Sequence, residues 1–160
     1  MDTILKLLKQ NARLSYEELS SMTGLSVPEV EQKIKNYEKK GIIMGYSAIL
    51  NEELVDDDET VTAYVEVKIT PEKNLGFDAI AKTIAQYDEV ESVTLMSGAY
   101  DLAVTISGTN VRTISLFISQ RLSAIEGVLS TATHFILKRY KDKGICVDQS
   151  NLDERGFVSP

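Results

Sequence analysis

The sequence has no tryptophan, one cysteine and one histidine. The single thiol, Cys146, cannot form an intrachain disulfide, a CxxC redox pair or a thiolate zinc site, so we expect it to be free and near the surface. The chain also lacks a glycine-rich phosphate loop, a G-x-S-x-G turn and an H-E-x-x-H segment. His134 has no Cys, Asp or second His close to it in sequence, so we assign it no catalytic role. We therefore predict no cofactor and no metal site, and an enzyme with scattered catalytic residues is the least favoured alternative.

A long apolar run is missing as well. The first ten residues, MDTILKLLKQ, are amphipathic and acidic near their start, unlike a signal peptide or a membrane span. We therefore expect a cytoplasmic protein that does not enter a membrane.

Positive charge is scarce, but it is unevenly distributed. The net charge is -7; residues 1–50 contain seven Lys or Arg against six Asp or Glu, a balance of +1, and the remainder contains ten against eighteen, a balance of -8. Attraction to phosphate depends on where the cations lie, so the total does not exclude nucleic-acid binding by the N-terminal part. Weak binding by each copy predicts an oligomer that engages adjacent sites together.

Two capping boxes define short helices in this N-terminal part. Ser15 with Glu18, and Ser26 with Glu29, match the S-x-x-E pattern in which a hydroxyl and a carboxylate satisfy the first backbone N–H groups of a helix. Gly24 lies between them and permits the left-handed conformation that ends a helix. Two helix starts only eleven residues apart predict a helix-turn-helix.

Apolar side chains at helical spacing predict a three-helix core, with a leading helix capped by Asp2. The predicted core residues are Ile4, Leu7, Leu8, Leu19, Met22, Val30, Ile34 and Tyr37. In a helix-turn-helix, the second helix of the motif lies in the major groove of DNA, so we predict that the outer face of the third helix contacts DNA. That face is polar and mixed in charge, and the alternative is an ordinary solvated surface. The predicted DNA contacts are Ser26, Val27, Pro28, Glu31, Gln32, Lys33 and Lys35. Glu31 would have to accept a hydrogen bond from a cytosine amino group.

Acidic residues mark a boundary after residue 50. Residues 51–59, NEELVDDDE, contain six carboxylates among nine positions, and their mutual repulsion predicts an exposed linker. The cluster lacks the ligand spacing and the glycine of a calcium loop, so we do not expect a metal there. The predicted organisation is a DNA-binding domain over residues 1–50, this linker, a second domain over residues 60–140, and a tail over residues 141–160 whose role stays open.

The second domain alternates strand and helix patterns. Period-two alternation begins at Thr60, and further strands are predicted over residues 90–96, 100–107 and 128–139. The stripes of the two intervening helices are Phe77, Ile80, Ala81 and Ile84, and then Val111, Ile114, Ile118, Leu122 and Ile125, with Gly127 ending the second helix. The order βαββαβ predicts an α+β fold with a ferredoxin-like sheet and both helices on one face. The other face is either solvated or covered by a second subunit, and we favour a dimer because its predicted residues include Tyr64, Ala103, Thr105, Ala132 and Ile136.

The runs Gly41-Ile42-Ile43-Met44-Gly45-Tyr46 and Gly98-Ala99-Tyr100-Asp101, together with the helix-turn-helix, resemble the leucine-responsive/asparagine (Lrp/AsnC) family over nearly the whole chain. The family spacing S-x-x-x-V-x-x-R-I-x-x-x-E-x-x-G falls on Ser26, Val30, Lys33, Ile34, Glu38 and Gly41. Lys33 replaces the usual arginine and Tyr37 a usual leucine. Arginine holds phosphate or guanine with two parallel bonds, whereas an ammonium acts as a point charge.

This resemblance implies a winged helix-turn-helix followed by a ferredoxin-like ligand-sensing domain. It further implies a sequence-specific regulator of transcription that binds double-stranded DNA, forms dimers often assembled into octamers, and binds an amino acid between subunits. The implied effector residues are Gly98, Ala99, Tyr100, Asp101, Thr131 and Thr133. Asp101 would pair with the ligand ammonium and the threonines with its carboxylate, although each has an ordinary structural alternative. An alternative function is a ligand-sensing oligomer with weak DNA affinity that modulates a protein partner.

Overall fold

The structure is a computed structural model that describes residues 1–51, 54–55, 60–70 and 76–147. The chain forms two compact units, Met1–Leu50 and Asn51–Pro160. Most of the predicted linker and the end of the predicted tail lie outside the described residues. In the part that is described, no helix is both long and apolar enough to cross a membrane.

The first unit contains three helices, α1 (Thr3–Gln10), α2 (Tyr16–Thr23) and α3 (Val27–Lys39). Asp2 caps α1, because its Oδ1 accepts a hydrogen bond from Ile4 N–H at 2.9 Å. At the start of α2, Ser15 Oγ accepts from Glu18 N–H at 3.2 Å, and Ser15 N–H donates to the Glu18 carboxylate at 2.7 Å. Both predicted caps are confirmed, and they satisfy backbone groups that a first helical turn leaves unpaired.

The turn between α2 and α3 has the predicted form. Gly24 has a φ of 72°, and its N–H donates to Ser20 O at 2.9 Å. At the start of α3, the Glu29 carboxylate accepts from the Ser26 hydroxyl at 2.6 Å and from Ser26 N–H at 2.8 Å. These two hydrogen bonds lower the pKa of Glu29. The first unit is therefore a helix-turn-helix whose two helices are capped separately.

An apolar core joins the three helices. Leu19 is fully buried, but Met22, which the spacing predicts beside it, is 57% exposed, so that prediction is wrong. The inward side of α2 instead passes from Leu19 to the half-buried Thr23, because residues four apart lie closest to one line on a helix. The core contains Ile4, Leu19, Val30 and Ile34, surrounded by the partly buried Leu7, Leu8, Leu14, Leu25, Tyr37 and Ile43.

The second unit has the predicted βαββαβ order. Its elements are β1 (Val61–Ile69), α4 (Gly76–Ile84), β2 (Val90–Leu95), β3 (Leu102–Gly108), α5 (Val111–Phe117) and β4 (Val128–Phe135). All strand pairs are antiparallel, and the sheet order is β2-β3-β1-β4. The ferredoxin-like arrangement is confirmed, with β2 joined to β3 as the predicted hairpin.

Both helices pack on one face of this sheet. On β1 the side chains of Val65 and Val67 are fully buried in the core, whereas Tyr64 and Glu66 belong to the opposite face, because strand side chains alternate. The core contains Ala63, Val65, Val67, Ile69, Ile80, Ile84, Leu102, Val104, Ile106, Ile114, Phe117, Ile118 and Leu122. Burying one such aliphatic side chain contributes roughly 1.5–3 kcal/mol, so this layer of side chains holds the helices on the sheet. The face that α4 and α5 leave uncovered is called the open sheet face below.

The helix after β3 departs from the prediction in its second half. Residues Ile118–Leu122 form a π-helix, in which Ser123 N–H donates to Ile118 O, five residues earlier, at 2.8 Å. Ile114, Ile118 and Leu122 are buried as the predicted stripe requires, and Phe117, which the stripe omits, is buried with them. Val111 is 50% exposed, so its predicted place in the buried stripe is wrong.

The last strand is shorter than predicted. It ends at Phe135 instead of Arg139, and a small hairpin of β5 (Lys141–Asp142) and β6 (Ile145–Cys146) follows. This hairpin lies in the region for which the sequence offers no periodic pattern. The thiol of Cys146 is free and exposed, as predicted.

Gly127 lies in the turn before β4 and does not end the preceding helix, which already stops at Leu122. Its φ of 89° falls in a region that L side chains rarely adopt, and a Cβ there would lie 2.7 Å from Ile80 Cδ1. Both the backbone conformation and the close packing of α4 therefore favour a residue without a side chain.

We expect Gly127→Ala to lower the free energy of unfolding by about 1–2 kcal/mol, because an L residue in left-handed backbone is strained. Gly98→Ala is a matched control, since a Cβ at Gly98 would meet no atom within 4 Å and its φ lies outside that region. Urea unfolding followed by circular dichroism measures both variants. Equal losses of stability would contradict the role given to Gly127.

Candidate functional site

The outward face of α3 carries most of the predicted DNA contacts. Pro28, Gln32 and Lys35 are exposed and follow one another at helical spacing. Val30 and Ile34, on the inward side, are 0% and 3% exposed. The helix therefore presents a continuous polar stripe on the side away from its own core.

Glu31 and Lys35 form an ion pair on this stripe. Lys35 Nζ lies 2.6 Å from Glu31 Oε1, and the two side chains are 61% and 43% exposed. The hydrogen bond to Glu31, together with its charge, raises the pKa of Lys35, so the ammonium stays protonated. Exposed ion pairs one turn apart are weak, and this one can open when a ligand offers better partners.

The first turn of α3 is partly committed to the helix itself. Ser26 is exposed, but its hydroxyl and its N–H both donate to Glu29. Val27 is half-buried. Contacts from these two residues to DNA stay predictions, and Ser26 serves first as the cap.

Lys33 lies on a different side of α3 from Gln32 and Lys35. Its Nζ is 3.3 Å from Asp2 Oδ2, at the start of α1. Tyr37, one turn after Lys33, packs against the core. The structure therefore separates this lysine from the exposed stripe with which the sequence groups it.

The segment that follows α3 contains no strand between residues 40 and 51, so the wing implied by the resemblance has no strand pairing here. Ile42 and Ile43 N–H donate to Tyr37 O at 2.8 and 3.2 Å. The Tyr46 hydroxyl donates to Glu38 Oε1 at 3.0 Å. These contacts hold the first part of the segment against the end of α3.

In the second unit, the predicted effector turn joins β2 to β3. Gly98 and Ala99 are exposed in this turn. Asp101 N–H donates to Val67 O at 3.0 Å, and Asp101 Oδ2 accepts from Ile69 N–H at 2.8 Å. The carboxylate thus braces the end of β1, which is the structural alternative that the sequence leaves open. Within the described residues, the second carboxylate oxygen, Oδ1, makes no hydrogen bond.

Tyr100 connects this turn to the open sheet face. Its hydroxyl lies 2.5 Å from the hydroxyl of Tyr64. The hydrogen bond to Tyr100 and then burial raise the pKa of Tyr64 to about 12. On the same face, His134 Nε2 lies 3.4 Å from Glu66 Oε1. The sequence analysis missed this histidine–glutamate pair, although the pairing of β1 with β4 would have revealed it once the register was known.

The two predicted effector threonines lie on the other face of the sheet. Thr131 and Thr133 pair with Val67 and Val65, whose side chains face the helices. Thr131 Oγ1 is 3.4 Å from Ser123 Oγ, after the π-helix. The structure therefore does not bring these threonines together with Tyr100 within one chain. No group of His, Cys, Asp or Glu in the described residues is arranged to hold a metal ion.

Two protein-family models match the chain. A winged helix-turn-helix DNA-binding model matches residues 3–44, and a model of the Lrp/AsnC ligand binding domain matches residues 62–145. The first covers the three capped helices, and the second covers the sheet, its helices and the start of β6.

Known proteins agree with these matches. The HTH-type transcriptional regulator YugG of Bacillus subtilis is 44% identical over 157 residues, which cover 98% of this chain and 95% of that protein. The leucine-responsive regulatory protein of Haemophilus influenzae is 28% identical over 144 residues, 90% of this chain and 86% of that one. A transcriptional regulator of Neisseria meningitidis, solved in complex with L-methionine, is 28% identical in sequence and matches with a TM-score of 0.69. The match covers 89% of this chain and 93% of that protein. The resemblance drawn from the sequence is confirmed, and with it the expectation of a regulator instead of an enzyme. The chain belongs to the Lrp/AsnC family of helix-turn-helix transcriptional regulators.

Proposed function

We propose that this protein regulates transcription by placing the polar stripe of α3 in the major groove of DNA, under the control of an amino acid bound by the second unit. The observation that carries the proposal is the division of α3 into a buried apolar side and an exposed side with Pro28, Gln32 and Lys35. A helix of this kind, preceded by a separately capped helix and a tight turn, suits insertion into a groove about 12 Å wide. We expect it to act in the cytoplasm.

The small positive charge of the first unit supports DNA binding by several copies of the protein acting together. The first unit has a balance of only +1, and Lys35 already has an internal partner in Glu31. Few phosphate contacts per copy give weak binding and a shallow salt dependence. A linked pair of such units gains affinity because the second binds at high effective concentration. We therefore propose that the functional form is at least a homodimer, and that octamers assemble from dimers.

Gln32 is the side chain of the stripe best suited to reading a base, since a carboxamide forms two hydrogen bonds with adenine. We expect Gln32→Ala to weaken binding to a selected operator by about 5- to 150-fold and to relax its base preference at one position. Gln10→Ala, at the exposed end of α1, is the matched control. Operators selected from random duplexes and titrated by fluorescence anisotropy give both readouts. An unchanged base preference would remove Gln32 from the interface.

The proposed effector site is the turn that holds Asp101. Support comes from the L-methionine bound to the Neisseria meningitidis regulator, and from Asp101 Oδ1, which has no partner in the described residues. A carboxylate with one oxygen fixed and one available can receive an α-ammonium group in a charge-assisted hydrogen bond. The threonines on β4 face away from this turn, so the ligand carboxylate is proposed to find its donors in a second subunit.

Asp101→Asn distinguishes the structural role of Asp101 at the end of β1 from its proposed role in ligand binding. The amide oxygen can still accept the hydrogen bond from Ile69 N–H, but the negative charge is lost. We expect this variant to remain folded and to bind its amino acid at least about tenfold more weakly. Asp78→Asn, exposed in the first turn of α4, is the control. A thermal-shift screen of the twenty amino acids identifies the effector, and calorimetry then measures its affinity. Equal affinities for wild type and Asp101→Asn would refute the assignment.

The open sheet face is the proposed dimer contact. Ala132 and Tyr64 lie on this face, and both helices pack on the opposite one. This face also carries the pair of His134 and Glu66, but covering its apolar residues with a second copy gives an antiparallel sheet additional stability.

We expect Ala132→Arg to convert the dimer to a monomer, because the contact would have to accommodate and bury a long charged side chain, which is costly even with Glu66 on the neighbouring strand. Ser119→Arg, an equal change of charge at an exposed site in the π-helix, should leave the dimer intact. Sedimentation velocity, with circular dichroism as a check of folding, distinguishes the two. Dimers of normal stability in Ala132→Arg would place the interface elsewhere.

A further inference from the structure

Two donors, one on each of two helices, converge on the carboxylate of Asp2. Oδ1 accepts from Ile4 N–H at 2.9 Å, which caps α1, and Oδ2 lies 3.3 Å from Lys33 Nζ on α3. The Tyr37 hydroxyl, one turn after Lys33, also interacts with this carboxylate, because Asp2 contributes to the raised pKa of Tyr37. We call Asp2, Lys33 and Tyr37 the Asp2 cluster. It is a polar link between the start of α1 and the middle of α3.

The electrostatics of the cluster favour an ionised carboxylate. Burial by itself raises the pKa of Asp2, but hydrogen bonds from Ile4 N–H, Lys33 and Tyr37 outweigh it and lower the pKa. Burial and then the interaction with Asp2 raise the pKa of Tyr37, so the hydroxyl keeps its proton. At neutral pH the cluster therefore contains one carboxylate, one ammonium and one neutral hydroxyl.

Helix geometry places the Asp2 cluster beside the polar stripe of α3 and not within it. Residues 33 and 37 share a side of α3 with the buried Val30, because positions three and four apart lie above one another. Gln32 and Lys35 lie on a different side. The side chains of Lys33 and Asp2 are 44% and 31% exposed, so their pair is partly shielded from solvent.

We propose that Asp2 is a positioning residue for DNA recognition, and that Lys33 acts through it instead of contacting phosphate. The cluster fixes the rotation of α3 relative to α1, and so determines how far Gln32 and Lys35 reach into the groove. A displacement of a reading helix by a fraction of an ångström lengthens each hydrogen bond to a base edge. The proposal rests on the proposed DNA-binding function and deepens it.

Salt dependence separates a positioning lysine from a phosphate-binding one. A lysine that neutralises a phosphate contributes about one to the slope of log affinity against log salt concentration. We expect Lys33→Met to lower operator affinity by roughly threefold to tenfold, the effect of about one hydrogen bond, while the slope stays that of the wild type. Lys35→Met, on the exposed stripe, is the matched control and should lower the slope by about one.

Two further variants test whether the effect passes through Asp2. Tyr37→Phe removes the hydroxyl that interacts with Asp2 without changing charge, and should weaken operator binding roughly threefold at an unchanged slope. Asp2→Asn keeps a side chain that caps α1 well but loses the charge. The Asp2→Asn, Lys33→Met double variant should bind about as well as the weaker single variant, since both substitutions remove the same interaction.

The possible results distinguish this role from the proposed function. A loss of slope in Lys33→Met equal to that in Lys35→Met, or additive effects of Asp2→Asn and Lys33→Met, would overturn the positioning role while leaving DNA binding intact. A wild-type protein without salt-dependent binding to any duplex would refute the proposed function and the positioning role together. Urea unfolding of each variant ensures that the measurements are made on folded protein.

Discussion

The burial of Val30 and Ile34 is the constraint on which the rest of the first unit depends. These two side chains are almost wholly removed from water, and together they determine which side of α3 faces the core. Helical periodicity then places Gln32 and Lys35 on the outward side and Lys33 near Asp2, where the Asp2 cluster can set the remaining rotation of the helix. The caps set where the helices begin, but apolar packing sets which residues are available for recognition.

In the second unit, burial on one side of each strand likewise determines which residues lie on the other side, because strand side chains alternate with a period of two. Val65 and Val67 hold the helices on one face of the sheet, so Tyr64 and Glu66 are committed to the other. The same alternation separates the threonines of β4 from Tyr100. A ligand that engages Asp101 therefore draws on the end of β1 and the turn after β2, where the backbone is already braced.

Much of this architecture is predictable from the sequence because it is encoded locally. Capping boxes, Gly24 and the alternation of β1 each depend on residues a few positions apart, and all are confirmed.

Leu14 and Leu25 are core residues that the sequence analysis misses, although each directly precedes a cap, the position of a hydrophobic staple. The errors arise where tertiary packing overrides a regular period, because helical spacing predicts Met22 and Val111 in a core and both side chains are exposed. The site residues are harder still, because the link from Asp2 to Lys33 and Tyr37 spans more than thirty positions, and no local pattern contains it. Lys33 and Tyr37 are the two positions at which the resemblance to the family implies a different usual residue, and both interact with the same carboxylate.

The ion pair between Glu31 and Lys35 has a consequence for selectivity. In the free protein each charge neutralises the other across one helical turn. If a phosphate takes over the ammonium, the carboxylate is released at the edge of a base pair, where only a hydrogen-bond donor can compensate it. A duplex that supplies the phosphate but not the donor leaves an uncompensated anion in the groove. If α3 binds DNA as proposed, this exchange of partners makes attraction to the backbone conditional on the identity of the base, and a weak surface contact then helps to reject unsuitable sequences.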